Sequence, residues 1–338
     1  MTGPVSVLLV AAVDPVARQS AALGLLLDLP GSVVVTHDPV TEPGGSGAVR
    51  RVITDRSGVL ADETTALDQA CLACAVREDV LPTLRMLLAL GRWQCVAVSL
   101  PLTAAPEPVA FEIQQAIRDG ELEDAVLASV VSLVDLATFE EDLLGDALLD
   151  ERGLSFGGYD RRSVGEAVAA QVEFADDVVT VDPGSATAGT LLAHLVAPTS
   201  RLHVGWDTVP AAQLAAARHD TEAARRRVDP LQGSAQPCLR RAQHLDGAAS
   251  RRTAPASRPA PAARRGARLR TGPCQRALLA RVPPRRGLRL GRQRRPARHR
   301  QVGPWRHRRP GTRIVVTGQH LEDRRRIMGT FPRVLTTL

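Results

Sequence analysis

Short apolar runs rich in β-branched residues alternate with amphipathic stretches over the first two hundred residues. The runs are nearly continuous, which is typical of strands buried on both faces of a parallel sheet. The sequence predicts strands at Val5–Ala12, Ser32–Thr36, Cys95–Leu100, Ala125–Val134 and Val178–Val181. It predicts helices at Val16–Leu27, Val80–Ala89, Pro108–Arg118, Leu136–Leu149, Val164–Ala175 and Ala186–Leu195. This alternation predicts an α/β fold with a doubly wound, mostly parallel sheet.

The charge of the chain changes sign near residue 230. Residues 1–229 contain 16 Arg and 33 acidic residues, a net charge of −17, whereas residues 230–338 contain 27 Arg and 3 acidic residues, a net charge of +24. Arg, Ala, Pro and Gly dominate Gln232–Pro310, a composition that disfavours helices and central strands and predicts disorder. Beyond this segment, the sequence predicts a strand at Arg313–Thr317 and a helix at His320–Met328.

Two residue types are missing from the sequence. It contains neither Lys nor Asn, so all 43 basic residues are Arg. A GC-rich gene would account for both absences, because the codons of Lys and Asn are rich in A and T. The absence nevertheless excludes a lysine that contacts nucleotide phosphates, a catalytic lysine and an asparagine that reads a base.

Apolar run lengths and cysteine usage indicate the cellular compartment. No run approaches the roughly 18 consecutive apolar residues that a membrane span requires, so we expect no membrane contact. Val5–Val13 has no basic residue before it, and we expect no signal peptide. Five scattered cysteines are too few for a disulfide scaffold. We therefore expect a cytoplasmic protein.

The sharpest local motif is the pair Cys71 and Cys74, separated by two residues. Two thiolates at this spacing can chelate a soft metal ion or form a redox pair. The motif supplies only two of the four ligands that zinc usually has. Packing is the alternative, because free cysteines are often buried.

The residues around this pair resemble those of the CobW-type GTP-binding metallochaperone family. That family carries Gly-Cys-x-Cys-Cys followed by Thr-Val-Arg-x-Asp-Leu-Leu-Pro. Cys71 and Cys74 match the outer cysteines and Arg77–Leu84 matches the tail, whereas Ala73 replaces the middle cysteine and Ala70 the glycine. The similarity continues in the family's order at Cys95–Ala110, Ser129–Leu144 and Ala170–Val181.

The resemblance implies a sheet of the P-loop NTPase type and a role in metal delivery or homeostasis, with zinc as the metal and GTP hydrolysis as the energy source. It also implies a metalloprotein client as partner. The chain then divides into a CobW-like α/β domain (residues 1–205), a connecting helix or linker (206–231), the Arg-rich segment (232–310) and a remnant of a small α+β C-terminal domain (311–338).

The loop after the first strand lacks the residues of a P-loop. A P-loop uses glycines to wrap backbone N–H groups around phosphate, a lysine for phosphate charge and Ser or Thr for Mg²⁺. Val10–Ser20 contains no glycine and no lysine. Asp14 adds negative charge where phosphate would lie, and Pro15 removes an N–H donor. Arg18 and Ser20 are the residues that could compensate, so any cofactor contact at this degenerate loop falls to Asp14, Arg18 and Ser20.

Two further nucleotide elements are absent. Ser99 stands where the resemblance implies an acidic residue near Mg²⁺, and Asp182–Ser185 stands where it implies the guanine-reading Asn-Lys-x-Asp. Asp135 keeps the family's Val-Asp pair, although an acid that caps a helix explains it equally well. The concordant losses predict that GTP and Mg²⁺ binding, and with them hydrolysis, are gone. We therefore assign no catalytic residue.

Cys71 and Cys74 remain as the predicted metal ligands. His37, His194 or His203 could complete a site with them, but none has ligand spacing to the pair, and a surface or core role explains each one. Cys95 begins a predicted buried strand and is assigned to the core.

The Arg-rich segment supports two other hypotheses. The first is a non-catalytic protein that binds RNA or DNA through this segment, although Trp305 is its only aromatic residue and base stacking would be limited. The second is that the chain is a nonfunctional product of a damaged gene. Gln232–Pro310 itself is interpreted either as an out-of-frame reading of GC-rich DNA or as a genuine disordered Arg-rich linker. The coding DNA distinguishes the two.

Overall fold

The computed structural model describes residues 3–41, 47–67, 75–155, 160 and 162–228, together with five strands beyond residue 244. Its first part is an eight-stranded sheet covered by helices on both faces. The predicted doubly wound, mostly parallel sheet is thereby confirmed. No helix among these residues is long and apolar enough to cross a membrane.

The sheet has the order β4-β3-β2-β5-β1-β6-β7-β8. Six neighbouring strands in this order, β2, β5, β1, β6, β7 and β8, run parallel. β3 and β4 extend the sheet beyond β2 as an antiparallel hairpin. The strands are β1 (Val5–Ala12), β2 (Ser32–Thr41), β3 (Gly47–Asp55), β4 (Gly58–Leu67), β5 (Cys95–Ser99), β6 (Ala125–Asp135), β7 (Asp177–Asp182) and β8 (Arg201–Val204).

Among the described residues, eight α-helices connect or follow these strands. They are α1 (Pro15–Asp28), α2 (Leu81–Leu90), α3 (Pro106–Arg118), α4 (Leu136–Leu144), α5 (Val164–Phe174), α6 (Ala186–Leu195), α7 (Ala211–Ala216) and α8 (Thr221–Val228). A π-helical turn, Val76–Val80, leads into α2. The six helices predicted from sequence are all present. Ala186–Leu195 has the predicted ends, the other five are shifted at one or both ends, and α4 is five residues shorter because Gly145 follows it.

Successive residues of the central strand β1 enter different cores, as expected for a strand buried on both faces. Val7 and Leu9 pack with Phe139 and Phe174 under the larger helical layer. Leu8 and Val10 pack on the other face with residues of α1 and α7. The apolar continuity of the predicted strands therefore reflects two buried faces.

Residues 206–228, assigned from sequence to a connecting helix or linker, pack against the α/β domain. Leu214 of α7 is fully buried in the same cluster as Leu25 of α1. Ala224 of α8 is fully buried in the cluster on the opposite face. The packed unit therefore reaches Val228.

Beyond residue 244 the structure describes only strands. Leu245–Arg252 (β9), Gln275–Arg276 (β10) and Gly311–Gly318 (β13) form an antiparallel sheet in the order β10-β13-β9, and Gly287–Leu290 (β11) pairs with His299–Gly303 (β12). The strand predicted at Arg313–Thr317 lies within β13. Four strands occur where composition predicted none, in small antiparallel sheets whose edges tolerate charged residues. The helix predicted at His320–Met328 lies outside the described residues.

Candidate functional site

The loop after β1 ends at Asp14, which caps α1. Its carboxylate accepts a hydrogen bond of 2.7 Å from the backbone N–H of Ala17. Free N–H groups and a positive dipole would otherwise make this helix start an anion site. The aspartate supplies that negative charge from within the chain, so a phosphate here would have to displace or approach a carboxylate.

Arg18 points into the protein. Its guanidinium donates to the carbonyl oxygens of Leu100 at 3.0 Å and His37 at 3.4 Å, and to the carboxylate of Asp38 at 2.6 Å. Only 8% of the residue is exposed. Arg18 thus joins α1 to the ends of β2 and β5, whereas Ser20 lies exposed on α1 and is not brought to the same place.

Asp135 ends β6 and Asp182 ends β7. Asp135 caps α4 by accepting a 2.8 Å hydrogen bond from the N–H of Ala137. The loop after β7 presses on the start of α4, because a Cβ added to Gly184 would lie 2.5 Å from the carbonyl oxygen of Leu136. Gly184 also has a positive φ of 53°, a conformation that suits glycine. Asp182 is exposed beside this contact.

A cluster of polar side chains lies where β2, β3 and β4 meet the π-helical turn and α2. We call it the His37 cluster: His37 of β2, Arg51 of β3, Thr65 of β4, Asp79 of the π-helical turn and Thr83 of α2. Asp79 receives hydrogen bonds from His37 Nε2 at 2.8 Å, from Arg51 at 2.7 Å and from Thr65 at 3.1 Å. Arg51 also donates to Thr83 at 2.7 Å.

The cluster holds a carboxylate in its charged form. Burial by itself would raise the pKa of Asp79, but the hydrogen bond from His37 and the charge of Arg51 outweigh it, so the pKa lies below its ordinary value. His37 and Asp79 are each only 1% exposed. With its Nε2 bound to Asp79, His37 has a second ring nitrogen, Nδ1, that is buried and has no hydrogen-bond partner among the described residues.

Cys71 and Cys74 lie outside the described residues. The chain resumes at Ala75, which is buried, and reaches Asp79 within the π-helical turn. The cysteine pair is therefore followed, five residues later, by a side chain bound directly to His37. The described residues contain no group of three or more His, Cys, Asp or Glu that could hold a metal ion.

The other sequence candidates lie elsewhere. His194 is buried within α6. His203 on β8 contacts Asp177 at 2.8 Å, and four strands lie between β8 and β2 in the sheet. Cys95 is buried in β5, and burial raises the pKa of its thiol to about 12, as expected for a core cysteine. Among the described residues, sequence reasoning missed Arg51, whose role depends on contacts between strands.

Two curated proteins are similar to this chain. One is described as the zinc chaperone Rv0106 of Mycobacterium tuberculosis (strain ATCC 25618 / H37Rv), at 30% identity over 216 residues. The match covers 61% of this chain and 50% of that protein. The chain resembles a zinc chaperone. An uncharacterized protein of Mycobacterium bovis matches with the same identity and coverage.

The resemblance to CobW-type proteins that the motifs indicate is thereby confirmed, although the chain spans about half the length of the curated relatives it matches. No family model matches the chain. Among solved structures, the Zn(II)-bound YjiA GTPase from E. coli matches with 16% identity and a TM-score of 0.36, covering 98% of this chain and 99% of that one. A similarity of this size carries no conclusion about function.

Proposed function

We propose that this chain binds zinc through Cys71 and Cys74 and takes part in zinc delivery or homeostasis without using GTP. The zinc chaperone among its relatives and the cysteine pair support the metal. In this role the metal is cargo. The site must therefore bind zinc tightly enough to transport it, yet leave it accessible enough to be released to a client. A metalloprotein is the partner that such a function requires.

We infer that His37 is a third ligand of this site. A histidine that binds metal commonly donates its other ring N–H to a carboxylate, which fixes the ring and makes it a better ligand. His37 makes this contact with Asp79, and its free Nδ1 is buried where an unpaired nitrogen is costly. Arg51 and Thr65 hold Asp79 in place for the role.

Zinc titration against a competing chromophoric chelator tests the ligand set. We expect Cys71→Ser to abolish high-affinity binding. We expect His37→Gln to weaken it by about 10–100-fold or more, because that loss already follows when a residue that only orients a ligand is removed. His203→Gln is the matched control, because His203 makes the same kind of contact with a buried aspartate on β7, several strands from β2 in the sheet. Unchanged affinity in Cys71→Ser would refute the zinc proposal, and unchanged affinity in His37→Gln alone would refute only the third ligand.

We also infer that the chain does not bind GTP. Three observations support this: Asp14 caps the helix start, Arg18 is engaged in the interior, and the loop after β7 closes on Leu136 around Gly184. Each removes a feature that a guanine nucleotide site needs, which is free N–H groups or positive charge for the phosphates, or space for the base. Equilibrium binding of labelled GTP with Mg²⁺ to the full chain should show no saturation at micromolar protein, and saturable micromolar binding would refute the inference.

A second function is favoured by one observation, the net charge of +24 after residue 229. Such a segment would bind RNA or DNA by displacing counterions, with affinity that falls steeply as salt rises. Binding to a labelled single-stranded RNA should then disappear on truncation after Asp229. RNA binding that persists after truncation, or that is absent already in the full chain, would exclude this function.

A further inference from the structure

The segment Leu100–Ala105, which follows β5, contains a strained residue. Thr103 has a φ of +66°, and it is the one non-glycine residue with positive φ among the described residues. A β-branched side chain rarely adopts this left-handed conformation, because its Cβ substituents crowd the backbone. Thr103 is also completely buried, so packing and hydrogen bonds must hold it there.

Three hydrogen bonds hold Thr103, and they come from three different parts of the chain. Its N–H donates to the carbonyl of Ala12 at the end of β1, at 3.3 Å. Its hydroxyl donates to the carbonyl of Leu154 at 3.1 Å, and its own carbonyl accepts from Arg162 at 3.0 Å. Arg162 is in turn fixed by Asp160 through two contacts of 2.9 and 2.6 Å.

A neighbouring side chain adds to the cost of this arrangement. Gln171 of α5 donates to the carbonyls of Ala104 at 3.0 Å and Ala12 at 3.4 Å, which ties the loop to the end of β1 a second time. Its amide oxygen is buried and has no hydrogen-bond partner among the described residues. A buried acceptor without a partner is costly, so the closed loop carries both backbone strain and an unsatisfied group.

We propose that Arg162 is a latch that holds the loop Leu100–Ala105 closed against the end of β1. The bond from Arg162 to the Thr103 carbonyl offsets the strain at that residue. When the latch is released, Thr103 relaxes to negative φ, its N–H leaves Ala12, and the amide oxygen of Gln171 becomes accessible to water. The loop is a two-state element at the carboxyl edge of the sheet, controlled by Asp160 and Arg162.

Amide hydrogen exchange on the full chain tests this latch. Arg162→Ala should speed exchange at residue 103 about tenfold or more, while Arg152→Ala, which removes exposed ion pairs to Glu141 and Asp142, should leave it unchanged. Exchange at Val130 in β6 should stay slow in both variants. Equal exchange at residue 103 in wild type and Arg162→Ala would overturn the latch, as would parallel loss of protection at Val130, which means global unfolding.

A double variant tests the strain separately. Glycine adopts a φ of +66° without strain, so adding Thr103→Gly to Arg162→Ala should slow exchange at residue 103 relative to Arg162→Ala alone. Faster or equal exchange in the double variant would mean that the threonine hydroxyl, rather than strain, decides the balance. That result would overturn the claim that backbone strain at Thr103 favours opening of the loop Leu100–Ala105.

Discussion

At the residue scale, Arg18 illustrates why a charged side chain near a degenerate loop need not face a ligand. The sequence places it where it could replace a missing lysine, but no sequence rule says whether the side chain points outward or inward. Its three acceptors come from β2 and the end of β5, which lie 19 to 82 residues away along the chain. Only the tertiary arrangement assigns the guanidinium to the interior.

We expect Arg18→Ala to lower the free energy of unfolding by about 2–3 kcal/mol, since it leaves two buried carbonyls and Asp38 without their charged donor. Ser20→Ala should change it by less than about 0.5 kcal/mol, because Ser20 is exposed. Urea denaturation followed by circular dichroism measures both. Equal stabilities of the two variants would mean that Arg18 is free in solution and available to a ligand.

His37 marks the limit of sequence reasoning about the site. A single histidine after a strand has no ligand spacing to Cys71 and Cys74, so it could only be one of three histidine candidates. Its contact with Asp79 links β2 to the turn that follows the cysteines, across 42 residues of sequence. The motif therefore predicted two thiolates, while the third group depends on the order in which strands lie in the sheet.

At the element scale, the buried parallel strands were predictable and the β3–β4 hairpin was not. The five buried parallel strands show continuous apolar runs because both faces are covered, whereas the mostly exposed edge strand β8 does not and was not predicted. The hairpin lies at the edge of the sheet, and its strands carry ion pairs such as Arg50–Asp62 on the exposed side. The sequence signal for this hairpin is weaker, because it consists only of apolar and polar residues that alternate on both sides of a turn at Gly58, which has a φ of +121°.

Two helical glycines should respond in opposite directions to alanine. A Cβ at Gly24 in α1 would lie 2.1 Å from the indole nitrogen of Trp206, which is hydrogen-bonded to Asp28. Gly189 in α6 has open space around its Cβ position. We expect Gly189→Ala to stabilise the fold by roughly 0.5–1 kcal/mol through helix propensity. Gly24→Ala should destabilise it by about 1–2 kcal/mol, because the clash exceeds that gain.

Thermal or urea unfolding of the two alanine variants provides the measurement. A stabilised Gly24→Ala variant would show that Trp206 does not pack on α1, and with it that residues 206–216 do not dock on this face of the sheet. Gly189→Ala serves as the control for propensity alone, since nothing lies within 4 Å of its Cβ position.

The docking of α8 should depend on pH through Asp176. This carboxylate contacts His219 at 2.6 Å and Arg227 of α8 at 3.3 Å. Burial by itself would raise its pKa, but the hydrogen bond from His219 and the charge of Arg227 outweigh this, so the pKa is lowered. A lowered folded pKa gives stability above the ordinary value of about 4, and that stability is lost as the pH falls through the folded pKa.

Asp176→Asn should therefore lower the free energy of unfolding by about 2 kcal/mol at neutral pH, and the difference from wild type should shrink below about pH 4. Urea unfolding at a series of pH values measures it. Glu123→Gln, at an exposed position, is the control and should give no pH-dependent difference. A constant difference for Asp176→Asn at every pH would show that its charge does not anchor α8.

At the scale of the whole molecule, the chain combines a packed acidic α/β unit with a basic region of different composition. The first part could be predicted because burial on two faces leaves a strong pattern in the sequence. Of the described strands beyond residue 244, only β13 could be predicted, because the Arg- and Gly-rich segments of β9 to β12 carry no apolar periodicity. Reading the coding DNA for a balanced alternative frame within Gln232–Pro310 remains the decisive observation for that region.

The central claim is that zinc binding has been retained on this scaffold while its nucleotide site has been lost. Two linked sites change each other's affinity by the same factor, so an intact GTP site that drives metal delivery must alter the zinc affinity. The most direct measurement is the zinc dissociation constant of the full chain with and without a large excess of GTP and Mg²⁺. We predict tight binding that requires Cys71 and changes by less than about twofold. A shift of about fivefold or more on adding GTP, or no tight zinc binding at all, would contradict the account.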